Sequence, residues 1–457
     1  MHITTHLDID LVALDQADEV TCLLELTAPA QVATATRPGR TLVLVVDRSG
    51  SMSGEPLEAA KDAISRLVRR LAPQDCFGLV VFDDQADVVI PTMSMADHAM
   101  EPLQRAIAAI DAGGTTDLSA GYLLALREAK RSLATTGHSS ATVLIVSDGQ
   151  ANAGITEPDR LSKVAGGALA KGVVTSTLGL GLDYDEVLLD AVTRAGNGNH
   201  RFAPDIDTAV SQMQQTVADL LDVSALATTV RITPIGDVVD AIRVYQDLPI
   251  WREPGSLTIN IGDLYAGEER KLLISLAVPA VNQLGTCQIA DISIDFTQAS
   301  DLAEHHVVIP VNVNVVPGDQ ARGQVPNPVV QVERLLAQTD AAKKAATSCL
   351  RDDDHAGAQS NLNSALNRID DLRSCLTEIG EDRLISRLQD VHDDISALQE
   401  SVVSAPPMFA MKLMTDSLAV SSRGRKSSTR RPTTKPAATV TPVPDDLWGD
   451  NRDQEQQ

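Results

Sequence analysis

The chain has 457 residues, with 62 Asp and Glu against 38 Lys and Arg and a formal net charge of −24. That length fits two to four domains, and so acidic a body disfavours nucleic acid and anionic membrane as partners. Apolar residues reach 43% but aromatic ones only 2%, so the cores must be built from aliphatic side chains.

The N-terminal residues lack a basic stretch followed by an apolar core. No apolar run approaches 18 residues, so no membrane span is expected. Five scattered cysteines (Cys22, Cys76, Cys287, Cys349 and Cys375) have no CxxC or zinc spacing. They read as buried small hydrophobes in a reducing compartment, and the expected location is cytoplasmic.

Residues 1–36 hold two strand-like segments, Ile3–Leu11 and Glu19–Leu26. They are too short to bury both faces of a hairpin alone, so their partner must lie elsewhere in the chain. From 38 to 222 strands and helices alternate, the pattern of a parallel sheet covered on both faces. Leu42–Val46 is an unbroken apolar run suited to a strand buried on both sides. A helix is expected over Pro56–Leu71 and a buried strand over Phe77–Phe82, followed by an antiparallel edge at Val88–Ile90. Helices over Met100–Ile110 and from Leu118 come next. Strands Val143–Ser147 and Val173–Leu180, a helix over Asp185–Ala195 and a strand at His200–Phe202 complete the unit.

From 223 to 316 the pattern becomes all-β, with six strand candidates and period-2 alternation, as in Ile309–Val315. This suggests a β-sandwich that the two N-terminal strands complete, with the α/β unit inserted between its second and third strands. After a Pro- and Gly-rich linker, residues 329–404 read as a helical hairpin or bundle. One seam runs through Leu384, Leu388, Val391, Ile395, Leu398 and Val402, and it offers either an internal core or an oligomerisation face. Met408–Val420 reads as a short amphipathic segment. Residues 421–457 are rich in Ser, Thr, Pro and charge and read as a disordered tail.

The chemistry concentrates where the first buried strand ends. Asp47, Ser49 and Ser51 follow Val46 directly, and open α/β sheets bind ligands at the carboxyl ends of their strands. Asp-x-Ser-x-Ser in this position resembles the metal-ion-dependent adhesion site of von Willebrand factor A (VWA) domains. Thr115–Gly121 is similar to the family's Gly-Thr-(Asn/Asp)-Leu-x-x-Gly loop, and counting back from Gly121 selects Thr116 over Thr115. Ser147-Asp148-Gly149 matches the family's Ser/Thr-Asp-Gly. Flanking β-strands give a wider likeness to bacterial relatives of inter-alpha-trypsin-inhibitor heavy chains and calcium-activated chloride-channel regulators.

The resemblance implies a fold and a role. The fold is a doubly wound, mostly parallel sheet, Rossmann-like, inserted in a β-sandwich and followed by the C-terminal helices. The role is a metal site of Asp47, Ser49, Ser51, Thr116 and Asp148. The serines and threonine would ligate directly and the aspartates through water, with Arg48 and Asp117 shaping the rim. Mg²⁺ is the implied ion, with Mn²⁺ or Ca²⁺ as alternatives, since hard cations prefer oxygen ligands and Mg²⁺ keeps waters. Neutral hydroxyls leave the cation short of negative charge and open to a carboxylate from a partner protein. The implied role is thus non-enzymatic protein binding. The alternative is an accessory subunit delivering substrate to an AAA-type ATPase or chelatase.

Blander readings stand beside this one. Asp47 and Asp148 could cap the following helices. Ser49 with His138 or His200 could suggest a hydrolase triad, although no Gly-x-Ser-x-Gly elbow is present. Asp83-Asp84 and Asp352–Asp354 read as acidic turns, and His305-His306 as structural.

Overall fold

The computed structural model describes residues 1–30, 39–205, 207–213, 223–236, 238–299, 303–322, 324–421 and 425–426. The expected disordered tail falls, beyond Ser421 and the strand residues 425 and 426, outside the described residues.

The N-terminal segment forms three strands rather than two: β1 (His2–Leu7), β2 (Leu11–Ala13) and β3 (Asp18–Thr27). The single expected strand Ile3–Leu11 is broken at Asp8, whose Oδ1 accepts from the backbone N–H groups of Ile9 and Thr21. That turn carries the chain from one sheet to another.

The α/β unit runs through β4 (Thr41–Asp47), α1 (Glu55–Val68), β5 (Cys76–Phe82), β6 (Ala86–Ser94), α2 (Met100–Ala108), α3 (Leu118–Thr136), β7 (Ala141–Ser147), α4 (Pro158–Leu169), β8 (Val173–Leu180), α5 (Glu186–Ala195), β9 (Asn197–Ala203) and α6 (207–213). The sheet order is β6-β5-β4-β7-β8-β9, with only β6 antiparallel. All seven residues of β4 are buried, as its apolar run requires. One face of the sheet meets α1 and α2 through Leu44, Val46, Ile64 and Ile107. The other meets α3, α4 and α5 through Val43, Val45, Tyr122 and Leu188. Helix α4 has no counterpart in the sequence reading.

The sandwich follows with β10 (Val223–Pro234), β11 (Ala241–Val244), β12 (Ile250–Glu253), β13 (Ser256–Tyr265), β14 (Glu269–Val278), β15 (Gly285–Gln298) and β16 (Glu304–Val316). In one sheet β3 lies between β1 and β14, paired from Thr27↔Glu269 to Asp18↔Val278. In the other, β2 joins the end of β16 in parallel. The N-terminal strands therefore enter both sheets. Their Val12, Val20, Cys22, Leu24 and Leu26 share one core with Ile232, Ile259, Ile274 and Ile292.

Beyond a four-residue helix α7 (Gly318–Ala321), the chain ends in α8 (Pro328–Arg351), α9 (His355–Ile379), α10 (Asp382–Ser404) and α11 (Pro407–Ser421). Asn327 caps α8 through the Val329 N–H, and Asp354 caps α9 through the Gly357 N–H, as the acidic-turn reading anticipates. The α10 seam closes inside this bundle: Leu384, Leu388, Ile395, Leu398 and Val402 are buried with Leu362, Ile369 and Met414. It is an internal core, so the expected oligomerisation face is not available there. Two of the cysteine expectations hold, Cys22 and Cys76 being buried. Cys287 and Cys349 are half-buried and Cys375 is exposed on α9.

The bundle is fastened on two sides. Leu23 and Leu273, on the outer face of β3 and β14, pack on Val330 of α8, and Glu333 pairs with Lys271 and Arg387. On the α/β unit, Phe409 of α11 meets Phe202 edge-on, and Arg351 of α8 pairs with Glu186. Lys412 of α11 is 1% exposed. Its Nζ donates to the Tyr184 carbonyl at 3.0 Å and lies 3.4 Å from that ring's centroid.

Burial pushes the Lys412 ammonium down to about 8, against the pull of Glu186, Asp183 and Asp185. Between about 8 and the ordinary 10.5 the unfolded chain keeps this proton while the folded chain has released it. Raising the pH through that window therefore favours the folded state. Measured as the difference between the two proteins, the urea midpoint of the wild type should gain on that of Lys412→Met across this window, the buried Cys22 thiol pulling both downward alike. Parallel curves for the two proteins would show that Lys412 does not titrate this way.

Candidate metal centre

The order of the α/β sheet reverses between β4 and β7, whose connections lead to opposite sides. Strand ends separate at such a point and leave a crevice at their carboxyl edge. Asp47 closes β4 and Asp148 follows β7 at that crevice. Ser49 and Ser51 lie on the tight turn before α1, and Thr116 lies on the turn before α3.

Five side chains predicted from sequence come together here. Asp47 is fully buried; its Oδ1 accepts from the Ser49 N–H at 2.8 Å and its Oδ2 from Ser147 Oγ at 2.6 Å. Ser49 Oγ is 3.1 Å from Ser51 Oγ, and Ser51 Oγ donates to Asp148 Oδ1 at 2.7 Å. Gly149 locates the centre of the group. A Cβ added there would lie 3.3 Å from Thr116 Oγ1, 3.4 Å from Ser51 Oγ and 3.9 Å from Asp47 Oδ2. A side chain at 149 would thus enter the space that these oxygens share.

The choice between the two threonines is resolved by burial. Thr116 is 4% exposed, whereas Thr115 points outward. Asp117 accepts from Ser119 Oγ at 2.6 Å and from the Ala120 N–H at 2.9 Å, which caps α3 and spends its carboxylate on that helix. Arg48 pairs with Asp83 at 3.1 Å and Asp87 at 2.8 Å. Both side chains expected at the rim are thus engaged with groups of this chain. The helix-cap alternative for Asp47 and Asp148 also fails, because α1 is preceded by Gly54 and α4 by Glu157.

Several supporting groups were not singled out from sequence. Ser147 orients Asp47, and Asn152 Oδ1 accepts from the Thr116 N–H at 3.0 Å. The serine turn is pinned to the threonine loop by Gly50 N–H donating to the Gly114 carbonyl, and Gly113 N–H to that of Arg48. Gly113 must be glycine, since a Cβ would fall 1.8 Å from Asp83 Oδ2. Among these, Ser147, within the Ser-Asp-Gly motif, and the glycines leave a signal in the sequence, but it does not name their partners.

The electrostatics of the group favour a cation. Burial raises the Asp47 carboxyl above its ordinary range, opposed by its bonds from Ser147 and Ser49 and reinforced by Asp83. Burial pushes Asp148 up to about 6; the Ser51 bond opposes this, while Asp47 and Asp183 add to it. Two carboxylates and three hydroxyls without a local cation suit a small, hard, divalent ion. Among the described residues no group of three His, Cys, Asp or Glu is arranged for a metal.

The candidate hydrolase histidines are elsewhere. His138 Nδ1 bonds Thr41 Oγ1 at 2.8 Å, at the opposite end of β4. His200 is buried between Thr177 and Tyr184. His305 stacks on Phe296, and His306 pairs with Asp295.

Residues 42–150 match the von Willebrand factor type A domain family. The chain is 26% identical over 260 residues to sll0103 of Synechocystis sp., covering 54% of this chain and 60% of that one. It is 29% identical over 186 residues to YfbK of Escherichia coli, covering 40% and 32%. With human inter-alpha-trypsin inhibitor heavy chain H4 it shares 26% identity over 176 residues, 37% and 19% of the two chains. The matches thus span less than two thirds of these relatives. Among solved structures, a von Willebrand factor type A protein from Catenulispora acidiphila superposes with a TM-score of 0.66 at 17% identity, over 85% of this chain and 89% of that one. The ArnB paralog VWA2 from Sulfolobus acidocaldarius gives 0.60 at 15% identity, over 91% and 97%. The fold likeness therefore extends through the sandwich and the bundle.

Proposed function

The chain carries a von Willebrand factor type A domain over residues 42–150, and from that premise we propose that it is a non-enzymatic interaction protein that binds a partner's acidic side chain through Mg²⁺. The observation that carries this reading is the convergence of Ser51, Thr116 and Asp47 oxygens on the space beside Gly149. Ser49, Ser51 and Thr116 would offer their hydroxyl oxygens to the ion. Asp47 and Asp148 would stand behind them, holding water and balancing charge. A bound Mg²⁺ supplies an open coordination position for a partner's Asp or Glu. The chain's own residues prepare that position. Ser147 and the Ser49 N–H fix the Asp47 carboxylate, and the two glycine-anchored loops hold the hydroxyls in place before any ligand arrives.

We also propose a cytoplasmic setting, which five free thiols fit. The test of function is affinity capture from native lysate with the full chain, in Mg²⁺ and in EDTA, beside Asp47→Ala. A partner should be retained by the wild type in Mg²⁺ only. Equal recovery in EDTA, or on Asp47→Ala, would show that recognition bypasses the metal.

A further inference from the structure

We infer that the cleft beside Asp148 receives a lysine or arginine side chain from the same partner segment that brings its carboxylate to the metal centre, an assignment that rests on the function proposed above. The cleft lies between α1, the loop after β8 and helix α6, with a cavity volume of about 160 Å³. Its walls are apolar: Ala59, Ala60 and Ala63 of α1 face Leu180, Val210 and Met213. Three small alanines on one helix face leave the room that larger side chains would fill.

The remaining lining sets the chemistry of the occupant. Asp148, Asp183 and Asp205 border the cleft, and among the described residues no lysine or arginine lines it. Asp205 Oδ1 accepts from the Thr208 N–H at 2.8 Å, while Asp183 is exposed. An apolar channel with carboxylates at its border fits a long aliphatic stem that carries a positive tip, since such side chains bury the stem and keep the charge at the water. A neutral aliphatic group would fill the walls but gain nothing from the carboxylates at their border. An acidic group would be repelled by them, as by a body of net charge −24.

Asp148 belongs to both sites. It accepts from Ser51 Oγ on one side and borders the cleft on the other. The two side chains of the partner therefore have to come from neighbouring positions. Residues i and i+2 of an extended segment project to the same side roughly 7 Å apart, and that spacing suits an acid with a lysine or arginine two residues away.

The test uses the full chain carrying labelled alanine and methionine methyl groups, observed by NMR. In metal-free buffer n-hexylammonium should shift Met213, Ala59 and Ala63 saturably, several-fold more tightly than n-hexanol, and n-hexanoate should bind least. Asp183→Asn should weaken hexylammonium several-fold and leave hexanol unchanged, and Ala59→Leu should block both. With Mg²⁺ present, an acetylated Gly-Gly-Asp-Gly-Lys-Gly-Gly peptide should displace hexylammonium, and its Lys-to-Ala counterpart should not. Absence of saturable shifts, equal binding of hexanol and hexylammonium, or an unaltered Asp183→Asn would overturn the cleft assignment. Equal competition by the two peptides, or none by either, would overturn the link to the metal-bound acid. The metal-free arm contains no ion, so its result is separate from any failure of the metal reading.

Discussion

Saturating Mg²⁺ should raise the unfolding midpoint of the wild-type chain, and Asp47→Ala and Thr116→Ala should abolish the rise. An ion that binds only the folded state stabilises it by RT ln(1 + [L]/Kd), about 2.7 kcal/mol at a hundred times Kd. The unbound baseline matters for Asp47→Ala. Removing the carboxylate leaves the Ser49 N–H and Ser147 Oγ without their acceptor, a loss of about 1–3 kcal/mol. It also removes a buried acid that burial already disfavours. Each protein must therefore be compared with itself, in EDTA and in Mg²⁺, by thermal unfolding. Mn²⁺ and Ca²⁺ in the same assay rank the ions. A rise of equal size in Asp47→Ala would place the ion somewhere other than these loops.

A second large effect is expected at the N-terminus. Strand β3 is the middle of its sheet, hydrogen-bonded to β1 on one side and β14 on the other. A chain lacking residues 1–30 should lose the sandwich, leaving residues 223–316 open to limited proteolysis. Point variants divide the strand by face. Leu24 lies in the sandwich core, and Leu24→Ala should cost about 2–5 kcal/mol there. Leu23 faces Val330 of α8 instead, so Leu23→Ala should loosen the bundle before the sandwich. Retained protection of 223–316 in the truncated chain would show that the later strands close without the first three.

The candidate metal centre was legible because its parts are local. The Leu42–Val46 run fixes a doubly buried strand, and a change from aliphatic to Asp, Ser and Ser within one step marks where it reaches the surface. Thr116 and Asp148 are likewise each placed by a short loop of characteristic order. Helix α4 escaped because Gly166 and Gly167 sit side by side within it, and glycine disfavours a helix interior. Strand β12 escaped because its exposed Trp251, Arg252 and Glu253 carry no alternation.

What the sequence determined by itself was most of the elements and the chemistry at one sheet edge, since both follow from residue type and near-neighbour spacing. Only the tertiary structure decided their partners. Contacts between residues far apart in the chain made Ser147 the support of Asp47 and paired Arg48 with Asp83 and Asp87. They also split the first strand between two sheets at Asp8, closed the α10 seam on α9 and α11, and brought Lys412 under Tyr184. A side chain's neighbours across 100 or 200 residues depend on how layers stack, and no local pattern encodes that.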